Sequence, residues 1–275
     1  MKIIDFVRPP LSATFAIATV AFTVFPDSFF NPLSYGIESS GDWGITVGRI
    51  VLIALTLACT FISYALFLRC RKSVLLDDGD CIIEVKYGDL LAERECKRVI
   101  AFDECFTTHV GSAPGDIKAT SICGQFLCMN QGLCIESLVE KSGLTPEIEP
   151  SCYDRKTWYK LGSIIPIGDD LLVAFTKLNK DGRAEFGHRE EYLDCLTNLW
   201  NEIYKYYDQK DVAISILGSG LTNFDGGSGK SLNQQELLNM IIWSYKLSTR
   251  KIKRPQKLRI VCRMQDGFSL NKVKC

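Results

Sequence analysis

Val212-Ala-Ile-Ser-Ile-Leu217 runs without interruption into Gly218-Ser219-Gly220-Leu221-Thr222-Asn223, and the next periodic segment is helical. An apolar run of this length bounded by glycine reads as a buried strand. A strand that ends in a glycine-rich loop ahead of a helix is suited to cradling phosphate. Residues without a Cβ let backbone N–H groups approach a diphosphate, and Ser219, Thr222 and Asn223 add side-chain donors. A flexible turn is the alternative reading. Outward from this segment, 188–207 places Tyr192, Leu196, Leu199, Trp200 and Ile203 at spacings of three and four, the stripe of an amphipathic helix. Segments 162–167 and 171–175 read as a hairpin turned at Gly168-Asp169-Asp170, and 81–86, 98–102 and 258–262 as further strands. Ser231 is read as the N-cap of a helix reaching about Leu247. Strands and helices alternate, which predicts an α/β fold: a three-layer α/β/α sandwich around a mixed sheet, with ligand at the carboxyl ends of the strands.

The N-terminal quarter is different. From Leu11 to Phe25 every residue is apolar, alanine, serine or threonine; Pro9 and Pro10 precede the run and Pro26 ends it. A second run, 50–68, has no charge and is followed by Arg69, Arg71 and Lys72. The two predict a transmembrane hairpin over 1–76, with spans at about 10–26 and 48–68, rather than a cleaved signal. The connecting loop carries Asp27, Glu38 and Asp42 but no lysine or arginine, whereas Lys2, Arg8 and the later basic cluster flank the spans. Basic residues stay on the cytoplasmic side, so both termini are expected in the cytoplasm of a multi-pass membrane protein. Asp77-Asp78-Gly79-Asp80 reads as the linker to one globular domain over 77–275.

Composition narrows the functional classes. Lysine plus arginine equal aspartate plus glutamate at 32 each, so no global field draws in nucleic acid. The twelve cysteines are dispersed through a large, core-patterned chain, which points to reduced thiols. Cys123, Cys128 and Cys134 lack the paired spacing of a zinc site, and no metal is expected. Gly229-Lys230-Ser231 imitates the end of a Walker A motif, but Phe224 stands where its first glycine belongs. Glu190 and Glu191 fit a helix's first turn, and the lysine- and arginine-rich run 246–259 reads as a basic helix end or a contact with anionic lipid.

The Gly88-Asp89-Leu90 that follows a first strand and the Gly218-Ser-Gly-Leu221 loop ahead of a late helix look like the two ends of the ADP-ribose cleft of macro domains. Between them, Val99-Ile-Ala-Phe-Asp103-Glu-Cys-Phe106-Thr-Thr108-His-Val-Gly111 and Ser121-Ile-Cys-Gly-Gln-Phe126 resemble the divergent macro domain of the ThsA effectors of Thoeris antiviral systems. The resemblance continues through Leu161-Gly-Ser-Ile-Ile165, Leu171-Leu-Val-Ala-Phe-Thr176 and Leu199-Trp200. A hairpin ahead of such a domain is similar to the membrane-anchored subtype of that family.

The resemblance implies a sensor rather than an enzyme. A TIR-domain partner consumes NAD and makes an ADP-ribose-derived signal, histidine-ADP-ribose favoured and cyclic ADP-ribose the alternative. The macro domain binds that ligand, the chain self-associates as a homo-oligomer, and the hairpins disrupt membrane lipid in abortive infection, as a pore or by disordering the bilayer. No catalytic residue, metal or other cofactor is implied. Asp89 would accept the adenine amino group, or cap its own turn. Gly218, Ser219, Gly220, Leu221, Thr222 and Asn223 would hold the diphosphate. Phe106, Thr107, Thr108 and His109 would line the distal ribose and its substituent, with His109 equally readable as a surface residue. This loop departs from the asparagine-rich loop of ordinary macro domains. The rivals are a membrane-tethered ADP-ribosyl hydrolase and a protein-binding scaffold.

Overall fold

The computed structural model describes residues 3–26, 29, 42–113, 115–220, 222–224, 232–264 and 268–273. The chain divides into two compact units, Met1–Arg71 and Lys72–Cys275.

The first unit is a pair of helices, α1 (Ile3–Val24) and α2 (Asp42–Cys70). Each is long and apolar enough to cross a membrane, over Phe6–Val24 and Ile45–Cys70. They pack as a hairpin. Phe6 lies against Phe61 and Tyr64 with ring centroids 6.1 and 5.8 Å away, and the Arg49 guanidinium stands 5.4 Å from the Phe22 centroid. The Thr14 and Thr60 hydroxyls are 2.8 Å apart, a polar pair of the kind that joins apolar helices where water is scarce. Pro9 and Pro10, expected ahead of the helix, lie inside it. Their carbonyls remain acceptors and take the Ser12 and Thr14 hydroxyls at 2.9 and 2.8 Å. Asp27 and Glu38 of the connecting loop fall outside the described residues.

The second unit contains a mixed sheet of nine strands: β1 (Ser73–Asp77), β2 (Ile82–Tyr87), β3 (Cys96–Asp103), β4 (Ile164–Ile167), β5 (Asp170–Leu178), β6 (Ala184–Phe186), β7 (Asp211–Ser215), β8 (Asn223–Phe224) and β9 (Lys257–Cys262). Strands β2, β9, β7, β3 and β5 lie side by side in that order and run parallel. On the outer edge of β5, β4 and β6 pair antiparallel, while β1 closes the other edge against β2. The β4–β5 hairpin turns at Gly168, whose φ of 58° is in the left-handed region.

Val74 and Leu76 of β1 insert into the core, and Ser73 to Asp77 pair with Lys86 to Ile82. The acidic stretch after Leu76 is therefore the turn of the β1–β2 hairpin, where Asp77 Oδ1 accepts from Gly79 N at 3.0 Å, and not an interdomain linker. The globular unit starts at Lys72, earlier than the Leu76/Asp77 boundary expected from composition. The basic run serves this edge of the fold: Lys246 pairs with Asp78 at 3.5 Å, Lys257 with Glu84 at 2.6 Å, and Arg254 with Asp77.

Side chains alternate across the sheet as strand geometry requires. Leu171, Val173 and Phe175 of β5 face a core covered by α5 (Arg189–Tyr206) and α6 (Gln234–Leu247), while Leu172 and Ala174 face one covered by α3 (Ile122–Met129) and α4 (Ile135–Lys141). The α5 stripe is buried as its spacing predicts, with each such side chain contributing about 1.5–3 kcal/mol on removal from water. Trp200 Nε1 donates to Ser244 Oγ at 3.0 Å, so the largest core residue leaves no orphan donor. Helix α6 starts two residues later than expected. Asn233, not Ser231, is its N-cap, in a reciprocal capping box with Glu236, and Ser231 lies outside the described residues.

Candidate functional site

The parallel sheet parts where its chain order reverses. From β3 the chain moves outward to β5, then returns through α5 to β7 on the other side of β3. β3 and β7 pair only from Cys96 opposite Asp211 to Arg98 opposite Ala213. Beyond that, β7 stays with β9 as far as Ser215 opposite Val261, while β3 stays with β5 as far as Asp103 opposite Thr176. Open sheets bind ligands at such a switch point. Here the opening is a cavity of about 990 Å³, bordered by the carboxyl ends of all five parallel strands.

On the β7 side the wall is one continuous stretch of chain. Residues Ser215 to Gly220 line the cavity in succession. Gly218 has φ +81°, and the Leu217 carbonyl accepts the Tyr192 hydroxyl at 3.1 Å, which ties the loop to α5. A Cβ placed on Gly220 would meet nothing within 4 Å, so the loop leaves open space at that point. Thr222, Asn223 and Gln234 at the start of α6 continue this wall, and Gln234 Oε1 has no protein partner among the described residues. Leu221 lies outside the described residues, as does Gly229-Lys230-Ser231.

On the β3 side the wall is held by a carboxylate. The register between β3 and β5 slips at Phe102/Asp103, so that Asp103 comes opposite Thr176. Both line the cavity. Asp103 Oδ1 accepts from Cys105 N at 2.9 Å and Thr107 N at 3.2 Å, and Oδ2 accepts the Thr107 hydroxyl. Burial pushes the Asp103 carboxyl above its ordinary range despite these donors, and burial does the same to Glu104 beside it. Phe106, caught between the two bonded residues, has φ +50° and is turned into the α3–α4 core against Phe102 and Tyr159.

The residues picked out by sequence are thus only partly gathered. Thr107, Gly218, Ser219, Gly220, Thr222 and Asn223 border the cavity. Phe106 is a core residue. Thr108 donates to Glu136 Oε1 at 3.2 Å on the outer side of the loop. The His109 side chain is 82% exposed, 3.7 Å from Asp116. Asp89 is exposed between two lining residues, Gly88 and Leu90, and its Oδ1 caps a 3₁₀ turn by accepting from Leu91 N at 3.1 Å. Sequence reasoning passed over Asp103, Lys118, Arg183 and Arg263, all of which line the cavity. Arg263 follows the last residue of β9, a position that the carboxyl-end rule alone would have flagged. Lys118 is committed to the carbonyls of Ser112 and Ala113, at 3.0 and 3.2 Å.

The family model for the macro domain of Thoeris protein ThsA matches residues 83–263, the stretch that contains the five parallel strands almost entire. The chain belongs to the ThsA macro-domain family. Thoeris protein ThsA of Bacillus amyloliquefaciens (strain Y2) is 29% identical over 232 residues, covering 81% of this chain and 75% of that protein. Among solved structures, the Oceanobacillus iheyensis macrodomain with ADP aligns with 70% of this chain and 89% of its own, at a TM-score of 0.39 and 9% identity. The same macrodomain with MES bound aligns over the same shares at 0.38 and 9%. The ThsA-family chain is accordingly a Thoeris antiviral-defence protein whose α/β unit is a macro domain, preceded by a hairpin of two apolar helices.

Proposed function

We propose that the cavity binds an ADP-ribose derivative as a signal and that the chain is a ligand-gated effector at the cell membrane. The observation that carries this reading is the parting of β3 from β7 at the switch point, with a glycine loop of exposed backbone along one side. A diphosphate placed against 218–220 would meet the glycine N–H groups and the Ser219 and Thr222 hydroxyls, the Ser219 N–H being donated to Ile216 O at 3.2 Å within the loop. From β2 to β5 the cavity crosses four strand spacings, roughly 19 Å, which suits an elongated ligand with two different ends. The adenine would lie by Gly88 and Leu90, with the free oxygen of Asp89 accepting its amino group. The distal ribose would lie by Thr107 and Asp103.

Family membership and the two apolar helices support the rest. A TIR-domain protein would make the ligand, histidine-ADP-ribose in preference to cyclic ADP-ribose. Both termini would be cytoplasmic, and bound ligand would favour self-association of a homo-oligomer whose hairpins breach the bilayer. The chain would act without turnover. Calorimetry and thermal unfolding of the full chain in detergent, with ADP-ribose, histidine-ADP-ribose and cyclic ADP-ribose, test the sensor. Ligand at about 100 times Kd should stabilise the fold by about 2.7 kcal/mol. A folded chain that gives neither heat nor a Tm shift with any of the three would overturn it. Release of product from ADP-ribosylated substrate would favour the hydrolase instead.

A further inference from the structure

The two edges of the sheet are finished differently. On the β5 side, β4 carries Pro166, and β6 and β8 are three and two residues long. Proline and very short strands are common means of stopping an edge from pairing with another chain. The β1 edge has neither. Its five residues pair with β2 in unbroken register, and Ser73 to Leu76 contain no proline or charge. Among the described residues, no strand lies on its outer side.

The ladder fixes what that side offers. Tyr87 N donates to Lys72 O at 3.1 Å and Asp78 N to Cys81 O at 3.2 Å, so the even-numbered residues from 72 to 78 turn their backbone groups toward β2. The odd-numbered ones, with Leu75 at their centre, turn theirs outward. Side chains alternate too: Val74 and Leu76 are buried, and Leu75 is 57% exposed. The segment Lys72-Ser-Val-Leu75-Leu-Asp-Asp78 is basic at one end, apolar in the middle and acidic at the other. Laid antiparallel on a second copy with Leu75 opposite Leu75, it sets Ser73 opposite Asp77 and Lys72 opposite Asp78. The outward-turned residues then meet one another as hydrogen-bonded pairs, and the charged ends meet with opposite sign. An in-register parallel arrangement would set lysine against lysine and aspartate against aspartate. Asp78 also pairs with Lys246 of its own chain at 3.5 Å, and its side chain stays 40% exposed.

We propose that β1 is a docking edge for a second copy of this chain: two copies join antiparallel through residues 73–77, with the two-fold axis at Leu75, into one continuous sheet. This names the surface for the self-association proposed above and rests on that reading. The contact is isologous, so it closes as a pair. It also lies next to the hairpin in the chain, because α2 ends at Cys70 and only Arg71 and Lys72 precede β1. In this register the two Ser73 residues are roughly 14 Å apart along the strands, so the same contact draws the α2 ends of both copies together. A strand pair this short is weak in isolation, and holding both copies in one bilayer raises their effective concentration.

Disulfide trapping in the full chain in liposomes, with and without ADP-ribose and histidine-ADP-ribose, tests the register. Facing residues of a hydrogen-bonded antiparallel pair have Cα atoms about 5.5 Å apart, within disulfide reach. Leu75→Cys should therefore link to itself, giving at least about five times the dimer that wild type forms through its own exposed thiols such as Cys70. Ser73→Cys should not link to itself, but should link to Asp77→Cys when the two variants are mixed. Leu75→Lys sets two cations face to face at the axis and should weaken self-association at least about tenfold, with Tm near wild type because the side chain is exposed. Lys72→Glu should weaken it less, and adding Asp78→Lys should restore it. Wild-type association in Leu75→Lys, or self-linking of Ser73→Cys as strong as that of Leu75→Cys, overturns the edge and leaves self-association standing. A wild type that stays monomeric with and without both nucleotides removes the self-association reading itself, and the proposal with it.

Discussion

The two walls of the cavity solve one problem in opposite ways. The β7 wall turns on Gly218 and Gly220, and at Gly220 it leaves empty space facing the cavity. The β3 wall is made of side chains that have already found partners. Asp103 takes three hydrogen bonds from the loop beyond it and forces Phe106 into a left-handed conformation and into the core. One wall presents open space to the cavity at Gly220, and the other is filled by side chains that keep its own shape. The difference predicts that substitutions at β3 damage folding and those at Gly220 damage binding.

The largest effect is expected from Asp103→Ala. It strands the Cys105 and Thr107 N–H groups and removes the restraint on Phe106, for a loss of about 2–3 kcal/mol. Thermal unfolding of the full chain in detergent measures it; a Tm unchanged from wild type would mean that the loop does not depend on the carboxylate. Gly220→Trp comes next and should leave Tm near wild type, because a side chain there meets open cavity. It should weaken ADP-ribose derivatives by at least about 30-fold, close to 2 kcal/mol, by occupying the phosphate position. Unchanged affinity would move the diphosphate away from this loop.

These two residues also show what sequence could and could not reveal. The β7 wall was legible because strand, glycines and following helix are contiguous in the chain, and the α5 stripe because one helix carries the whole period. The β3 wall was not. Asp103 is the last residue of an apolar run, and nothing local says that the register slips there or that its partners lie two and four residues ahead. Phe106 looked like an aromatic available to a ligand; only the positive φ turns it inward. Strand β1 was missed because it offers just Val74 and Leu76 and begins close behind the membrane run, so its acidic hairpin turn passed for a linker. Helices α3 and α4, at eight and seven residues, are too short for periodicity to declare them.

Gly218→Ala separates the two glycines of the loop and should cost less than the substitutions above. Its φ of +81° is disfavoured for an L-residue, and the new Cβ would come 3.2 Å from Phe224 Cζ. A loss of about 1–2 kcal/mol in stability is expected, against no resolvable loss for Gly220→Ala. Equal stabilities for the two alanine variants would show that the loop relaxes and that its conformation is not fixed by Gly218.

The smallest effect sharpens the comparison through pH. Asp103 is held above its ordinary value of 3.8 chiefly by burial, against the donors that pull it down. A carboxyl raised in the folded state binds a proton there that the unfolded chain has already released. Stability from this group is therefore fully present below the unfolded value, falls as pH rises through the window between the unfolded and the raised folded value, and is constant above it. Asp103→Asn keeps an acceptor for the Cys105 and Thr107 N–H groups but cannot titrate. The stability of wild type minus that of Asp103→Asn should decline as pH rises from about 4 and then level off. Asp169, which Lys210 lowers, is carried by both chains and cancels in the difference; Glu104 is raised by burial and partly by the Asp103 charge, so its own shift shrinks in Asp103→Asn and deepens the decline in the same direction. A difference that stays flat across this range would mean that the carboxylate is solvated and that the β3 wall is as open to water and ligand as the glycine wall facing it.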